Sequence, residues 1–231
     1  MHPDQAKQLA ADRALTYLPE RGIIGLGSGS TAKLFIQGVG HLIAAGRDLK
    51  GVPTSEESRA LAESLHIPLL DDQGPWSIDV CVDGADEVSD DLDLIKGGGG
   101  CQTREKIVNF SSRKNIIVVD STKLSSQLGE RWAVPVEVLP FGRNSTIAAL
   151  ERMGETKLRL RNGTPWMTDA GNFLYDVRVG VISHPGETDR VLRSIPGVVE
   201  TGLFVRRADL VIVAGEDGIR ELTSSPDAAS P

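Results

Sequence analysis

Residues 80–108 read VCVDGADEVSDDLDLIKGGGGCQTREKIV, and this stretch decides the fold. An apolar run over 78–82 stops abruptly at Asp83, Gly84, Ala85, Asp86 and Glu87. A second run, over 92–95, stops at Lys96 and then Gly97, Gly98, Gly99 and Gly100. A helical pattern starts near Gln102 and carries Arg104, Glu105 and Lys106 in its first turn. Short apolar runs closed by polar residues and followed by a helix are expected of strands in a mainly parallel sheet. Two strand ends and one helix start would then present carboxylates, a lysine and bare backbone amides along one edge. In open α/β sheets ligands bind at that edge, beyond the carboxyl ends of the strands.

Upstream, Pro3-Asp4 reads as a helix start, with Leu9, Ala10, Ala14, Leu15 and Leu18 as its apolar stripe up to Pro19. A short strand over 22–26 runs into Gly27-Ser28-Gly29-Ser30-Thr31, followed by a helix to about Gly46. Strand, glycine-rich loop and helix form the arrangement in which N–H groups and a helix N-terminus hold an anion. The third glycine of a dinucleotide fingerprint is missing, and no Gly-Lys-Ser/Thr follows. Hydroxyls at Ser28, Ser30 and Thr31 suit a single phosphate on a small molecule; a tight turn with a helix cap reads equally from the same residues. Next are expected a strand over 49–53, a helix capped by Ser55, and a strand over 67–70.

Downstream, 115–119 is a β-branched run closed by Asp120-Ser121-Thr122-Lys123. From Val134 the rhythm becomes strand (134–138), helix (144–153), strand (156–160), turn at Asn162-Gly163, strand (172–177), helix (186–194) and strand (198–203). That βαββαβ order is the ferredoxin-like unit. A last apolar run over 209–214 returns as a closing strand. The expected fold is therefore α/β: a Rossmann-like, mainly parallel sheet covered by helices, over residues 1–130 and 206–223. A ferredoxin-like α+β domain is inserted at 131–205. The polar tail 224–231 is expected to be disordered.

The 231 residues suffice for these two cores. A net charge of −7 argues against a nucleic-acid partner. No apolar run approaches a membrane span, and the first thirty residues lack the pattern of a signal peptide. With only Cys81 and Cys101, a disulfide framework is not expected and the cytoplasm is the default compartment. No His/Cys cluster or calcium-loop spacing points to a metal.

Glu105 is the candidate general base. It follows a flexible glycine run at a helix start, where the backbone dipole favours its anion, while Asp83, Asp86 and Glu87 nearby favour protonation. A carboxylate so poised removes a proton alpha to a carbonyl; the same position suits a glutamate that only satisfies the dipole. Asp83 and Asp86 can exchange protons with sugar oxygens, and Lys96 can stabilise an enolate oxygen; the same acids also suit a solvated loop continuing into Ser89-Asp90-Asp91. The glycines at 97–100 let backbone approach a substrate without side-chain bulk. Together these groups point to proton transfer on a small phosphorylated carbonyl compound, without choosing the sugar.

The sequence resembles the A-type ribose-5-phosphate isomerases through GLGSGSTA (25–32), VDGADEV (82–88), LIKGGGG (94–100), TREKI (103–107), DSTK (120–123), VPVEVLP (134–140) and IPGVVETGLF (195–204). The pieces keep the family's order over nearly the whole chain. The resemblance implies cofactor-independent interconversion of ribose 5-phosphate and ribulose 5-phosphate. It gives Glu105 the C2-to-C1 proton through a cis-enediolate, and Asp83 and Asp86 ring opening and the oxygen protons. Lys96 with Gly97, Gly98 and Gly99 would hold the sugar end, with Gly84 and Ala85 lining the same turn. Ser28, Gly29, Ser30 and Thr31 would bind phosphate, with Lys123 and Lys7 adding positive charge. It also implies a homodimer or tetramer. Ser28 stands where many relatives carry threonine, and Gly100-Cys101 where small or apolar residues are usual; Cys101 is expected to raise sensitivity to oxidation. The rivals are a non-enzymatic sugar-phosphate sensor, which would not need Glu105 and Asp83, and an amino-sugar-phosphate isomerase/deaminase, which would need a histidine near these motifs.

Overall fold

The computed structural model describes residues 3–223; the tail at 224–231 lies outside the described residues. In chain order the elements are α1 (Pro3–Leu15), β1 (Arg21–Leu26), α2 (Ser30–Ala44), β2 (Asp48–Pro53), α3 (Glu56–Ser64), β3 (Val80–Asp83), β4 (Glu87–Val88), β5 (Leu94–Ile95), α4 (Gln102–Phe110) and β6 (Asn115–Asp120). A 3-10 turn at Ser121–Lys123 follows, then β7 (Val134–Val138), α5 (Arg143–Leu150), β8 (Glu155–Leu158), β9 (Leu160–Arg161), β10 (Thr164–Pro165), β11 (Phe173–Arg178), α6 (Pro185–Arg193), β12 (Val198–Thr201), β13 (Leu203–Phe204), β14 (Leu210–Gly215) and β15 (Gly218–Thr223).

The chain forms two compact units. The first takes the described residues up to Gly84, Arg104–Lys123 and those from Arg206; the second takes Ala85–Thr103 and Leu124–Val205. The expectation drew the line at 130 and kept 85–103 with the first domain. Residues 85–103 group instead with the second unit because β4 and β5 pair with each other and β5 pairs with β13, all antiparallel. The expected strand over 92–95 is reduced to β5. Leu92 sits in a turn at φ 61°, its N–H bonded to the Ser89 carbonyl.

In the first unit the sheet order is β15-β14-β6-β3-β1-β2, with β15 antiparallel at one edge and the other pairs parallel. The central strands β3, β6 and β14 are buried apolar runs, as a sheet covered on both faces requires. One face packs Ile24, Leu26, Val82, Ile116 and Ile212 against Phe35, Ile36 and Val39 of α2 and Ala6, Ala10 and Ala14 of α1. Leu9, expected in the α1 stripe, is exposed; the buried stripe is alanine, which lets the helix come close. The expected strand over 67–70 survives only as one bridge from Gly51 to Leu69, because Pro68 has no N–H to give to a ladder.

In the second unit β12-β7-β11-β8 form an antiparallel sheet, the ferredoxin-like order, with α5 and α6 packed on Val134, Val136, Val138, Tyr175 and Val177. Asn162 and Gly163 both have positive φ, 53° and 79°, and close the β9–β10 hairpin. The expected strand over 198–203 breaks at Gly202, where a Cβ would lie 2.2 Å from the Lys96 carbonyl oxygen.

Strand β15 was not expected. It is tied to α1 through Glu221, whose Oε1 accepts from Arg13 Nε and from the Tyr17 hydroxyl, both at 2.6 Å. The Arg13 hydrogen bond, followed by that of Tyr17, holds the Glu221 carboxyl below its ordinary value of 4.5. A depressed carboxylate contributes stability above its unfolded value and loses it as pH falls through the folded one. Glu221→Gln should therefore lower the thermal midpoint slightly at neutral pH, and the gap to wild type should close as pH drops below 4.5. The effect stays small because both charged partners are solvent-exposed. A gap independent of pH would remove the ion pair as its cause.

Candidate active site

Order 2-1-3 around β1 places a topological switch point between β1 and β3, where ligands bind in open α/β sheets. The loops leaving these two strands are bonded to each other. Gly27 N–H donates to the Val82 carbonyl, and Ser28 N–H donates to Asp83 Oδ1 at 2.9 Å. Gly84 N–H donates to the same oxygen at 2.8 Å, so buried Asp83 pins both loops. A Cβ on Gly27 would lie 2.3 Å from Asp83 Oδ1, so only glycine admits this approach.

The Ser28 hydroxyl, one of the three expected to suit a phosphate, has partners within the protein. It bonds to Thr54 Oγ1 and Ser55 Oγ, each at 2.8 Å, with Ser58 Oγ at 3.3 Å. Ser58 in turn donates to the Gly27 carbonyl at 2.6 Å. This hydroxyl cluster braces the loop, and of its members Ser28 and Ser55 carried a sequence signal, Ser55 as a helix cap. Gly29 follows at φ 95°, a conformation that favours glycine, and α2 begins at Ser30. Gly29 and Ser30 are exposed and Thr31 is half-buried. The first N–H groups of α2 have no partner within the helix, the basis of anion binding at helix starts.

In the second unit, half-buried Asp86 accepts from Gly98 N–H at 2.6 Å through Oδ2. A Cβ on Gly98 would lie 2.6 Å from Asp86 Oδ1. Gly97 and Gly100 have φ of 103° and 77° and are joined by a Gly100 N–H to Gly97 carbonyl bond of 2.9 Å. Gly99 is different: it is exposed, its φ is ordinary, and a Cβ there would meet nothing within 4 Å. Neither conformation nor neighbours demand glycine at 99. Lys96 is buried, its N–H bonded to the Gly202 carbonyl and its Nζ 5.3 Å from the centre of the Phe204 ring. Cys101 is half-buried, its Sγ 3.4 Å from the Gly99 carbonyl oxygen.

Glu87, which the sequence grouped with the site acids, is fully buried. Its carboxylate accepts N–H bonds from Gly129 at 2.9 Å, Arg131 at 3.1 Å and Trp132 at 3.4 Å, a structural engagement. Helix α4 starts in the second unit and passes into the first at Arg104. Thr103 donates to buried Glu137 of β7, which also accepts from Thr168 and Asn172. Arg104 Nη1 lies 2.6 Å from Glu56 Oε1 and holds that carboxyl below its usual range through this bond. Glu105, next in sequence, is only 4% exposed. Lys123 ends the 3-10 turn after β6, and Lys7, on α1, lies 4.0 Å from Asp4.

The first unit thus gathers Ser28, Asp83 and Gly84 into one bonded cluster beside the start of α2. The second gathers Asp86, Gly97 and Gly98. Sequence reasoning missed Thr54, Ser58, Glu137 and Arg159, whose partners lie far away along the chain.

Comparison with known proteins places the chain in a family. The family described as ribose 5-phosphate isomerase A (phosphoriboisomerase A) matches residues 50–218. Ribose-5-phosphate isomerase A of Gloeobacter violaceus is 45% identical over 229 residues, covering 97% of this chain and 99% of its own. The solved ribose 5-phosphate isomerase A of Methanocaldococcus jannaschii is 38% identical with a TM-score of 0.90, over 95% of this chain and 98% of that one. A D-ribose-5-phosphate isomerase solved with phospho-erythronic acid is also 38% identical, with a TM-score of 0.93 over 96% and 100%. With the mainly parallel sheet, the motifs and near-complete coverage in agreement, this chain belongs to the ribose 5-phosphate isomerase A family.

Proposed function

We propose that the chain interconverts ribose 5-phosphate and ribulose 5-phosphate by moving one proton between carbons and one between oxygens. In the open-chain aldose, Glu105 takes the C2 proton and the bond electrons form the C1–C2 double bond of a cis-enediolate. The same carboxyl returns the proton to C1, while the O2 proton is lost and O1 gains one, leaving the ketose. Asp83 and Asp86 serve ring opening and the oxygen protons. Lys96 stabilises the negative oxygen, its ammonium being held in a site from which water is largely excluded. Gly84, Ala85 and Gly97 to Gly99 lie against the sugar. The open face of Gly99 is accounted for if substrate occupies it. Gly29, Ser30 and Thr31 hold the phosphate at the start of α2, with Lys123 and Lys7 adding charge, and Ser28 holds the loop in shape.

The observation that carries this reading is the burial of Glu105 in the first turn of α4, within a chain whose relatives bear the isomerase name over their full length. A relative that binds phospho-erythronic acid, a phosphorylated sugar acid, supports a phosphorylated sugar as ligand. No helix among the described residues is long and apolar enough to cross a membrane. The reading includes a cytoplasmic homo-oligomer, and exposed Phe141 and Phe110 offer apolar contact area.

The test is conversion of ribose 5-phosphate to ribulose 5-phosphate by purified protein with EDTA present. Turnover is expected. Tight binding of the sugar phosphate with no turnover would instead make the chain a sensor, and loss of turnover on EDTA addition would require a metal.

A further inference from the structure

We propose that Arg159 is a positioning residue for turnover, acting on Asp86 through the Gly97–Gly98 peptide; the inference rests on the isomerase reading above. Arg159 lies between β8 and β9, and its side chain is 11% exposed. Its guanidinium forks onto Asp176 of β11, with Nε 2.9 Å from Oδ2 and Nη2 on Oδ1. The remaining arm, Nη1, donates to the Gly97 carbonyl at 2.6 Å and the Gly98 carbonyl at 3.2 Å. The Gly97 carbonyl and the Gly98 N–H belong to one peptide group, and that N–H donates to Asp86 Oδ2. A line of charge-assisted bonds therefore runs from Asp176 through Arg159 and one peptide plane to a site carboxylate.

The physics gives this line a purpose beyond folding. A cation on the carbonyl polarises the amide and strengthens its N–H as a donor. Successive glycines are the least restrained backbone a chain can have, and Gly98 can carry no side chain to brace it, because Asp86 fills that space. Arg159 supplies from the second unit's sheet the order that the glycines lack. It sets the plane on which Asp86 rests and the backbone that follows Lys96. An ion pair that merely stabilised the sheet would need only Asp176, whereas a third of the guanidinium is turned to the loop.

A cleft of about 370 Å³ opens beside this guanidinium, lined by Gly98, Arg131, Trp132, Arg159, Asp176 and Arg178. A free guanidinium ion can thus reach the place that a truncated side chain leaves. Arg159→Ala and Arg159→Met are expected to lower kcat about 100-fold with KM changed less than about threefold, as for misplaced rather than absent catalytic groups. A sub-denaturing concentration of guanidinium chloride should restore about a tenth of the lost kcat in Arg159→Ala. It should not do so in Arg159→Met, whose side chain fills the gap. Arg159→Lys keeps a cation beside Asp176 without the fork, so a near wild-type unfolding midpoint and a kcat about tenfold down are expected. A folded Arg159→Ala or Arg159→Lys with wild-type kcat overturns the inference. So does a slow Arg159→Ala that guanidinium never rescues. Failure of the underlying reading looks different: the wild type itself would not turn over ribose 5-phosphate.

Discussion

Glu105→Gln should lower kcat for ribose 5-phosphate by about three orders of magnitude, within the range that a positioned general base contributes. The substitution is nearly isosteric, so the packing of a side chain only 4% exposed should persist and the unfolding midpoint should move little. The loss should fall on kcat rather than KM, because the missing step is proton removal and not binding. A second readout isolates that step. With substrate deuterated at C2, the wild type should release deuterium to solvent or pass it to C1, whereas the variant should retain it at C2. Arg104, the residue before Glu105, is tied to Glu56 of the same unit. An active Glu105→Gln enzyme would hand the role of base to Asp83 or Asp86.

What the sequence disclosed and what it hid follow from how local each signal is. The strands β3, β6 and β14 are unbroken β-branched or apolar runs, legible because burial on both faces demands that composition. The βαββαβ order was legible for the same reason, each element carrying its own period and its own turn residues. β15 escaped because an edge strand needs little hydrophobic pattern, and Arg220 and Glu221 face solvent. The grouping of 85–103 with the second unit depends on β5 pairing with β13 more than a hundred residues later, which no local window contains. At the site, residue types were readable and rotamers were not. Ser28 announced a hydroxyl beside a phosphate loop, but only the structure turns that hydroxyl toward Thr54 and Ser55. Glu87 looked like one more acid in DGADE until its oxygens were seen on the N–H groups of 129–132.

Glu87→Ala is accordingly expected to be among the more destabilising single changes in the chain, with a loss of about 3 kcal/mol. The side chain is fully buried, and truncation leaves the N–H groups of Gly129, Arg131 and Trp132 without their acceptor. The Gly129 bond is buried and those of Arg131 and Trp132 are partly buried, and an unsatisfied buried donor costs roughly 1–3 kcal/mol. The loop has little freedom to find other partners. Gly129 sits at φ 82° with the Gly180 carbonyl so close that a Cβ would lie 2.1 Å from its oxygen, and Leu128 is bridged to Ile182. Against a total of about 5–15 kcal/mol for a typical domain, that loss is large enough to unfold much of the population near physiological temperature. Glu87→Gln keeps the volume but offers one acceptor oxygen and turns an amide N–H₂ toward an N–H donor, so about half the loss is expected. Urea unfolding followed by circular dichroism measures both variants. If Glu87 acted instead as a like charge beside Asp86, Glu87→Gln would change the pH dependence of turnover and leave the urea midpoint in place. A wild-type midpoint in Glu87→Ala would sink the structural role.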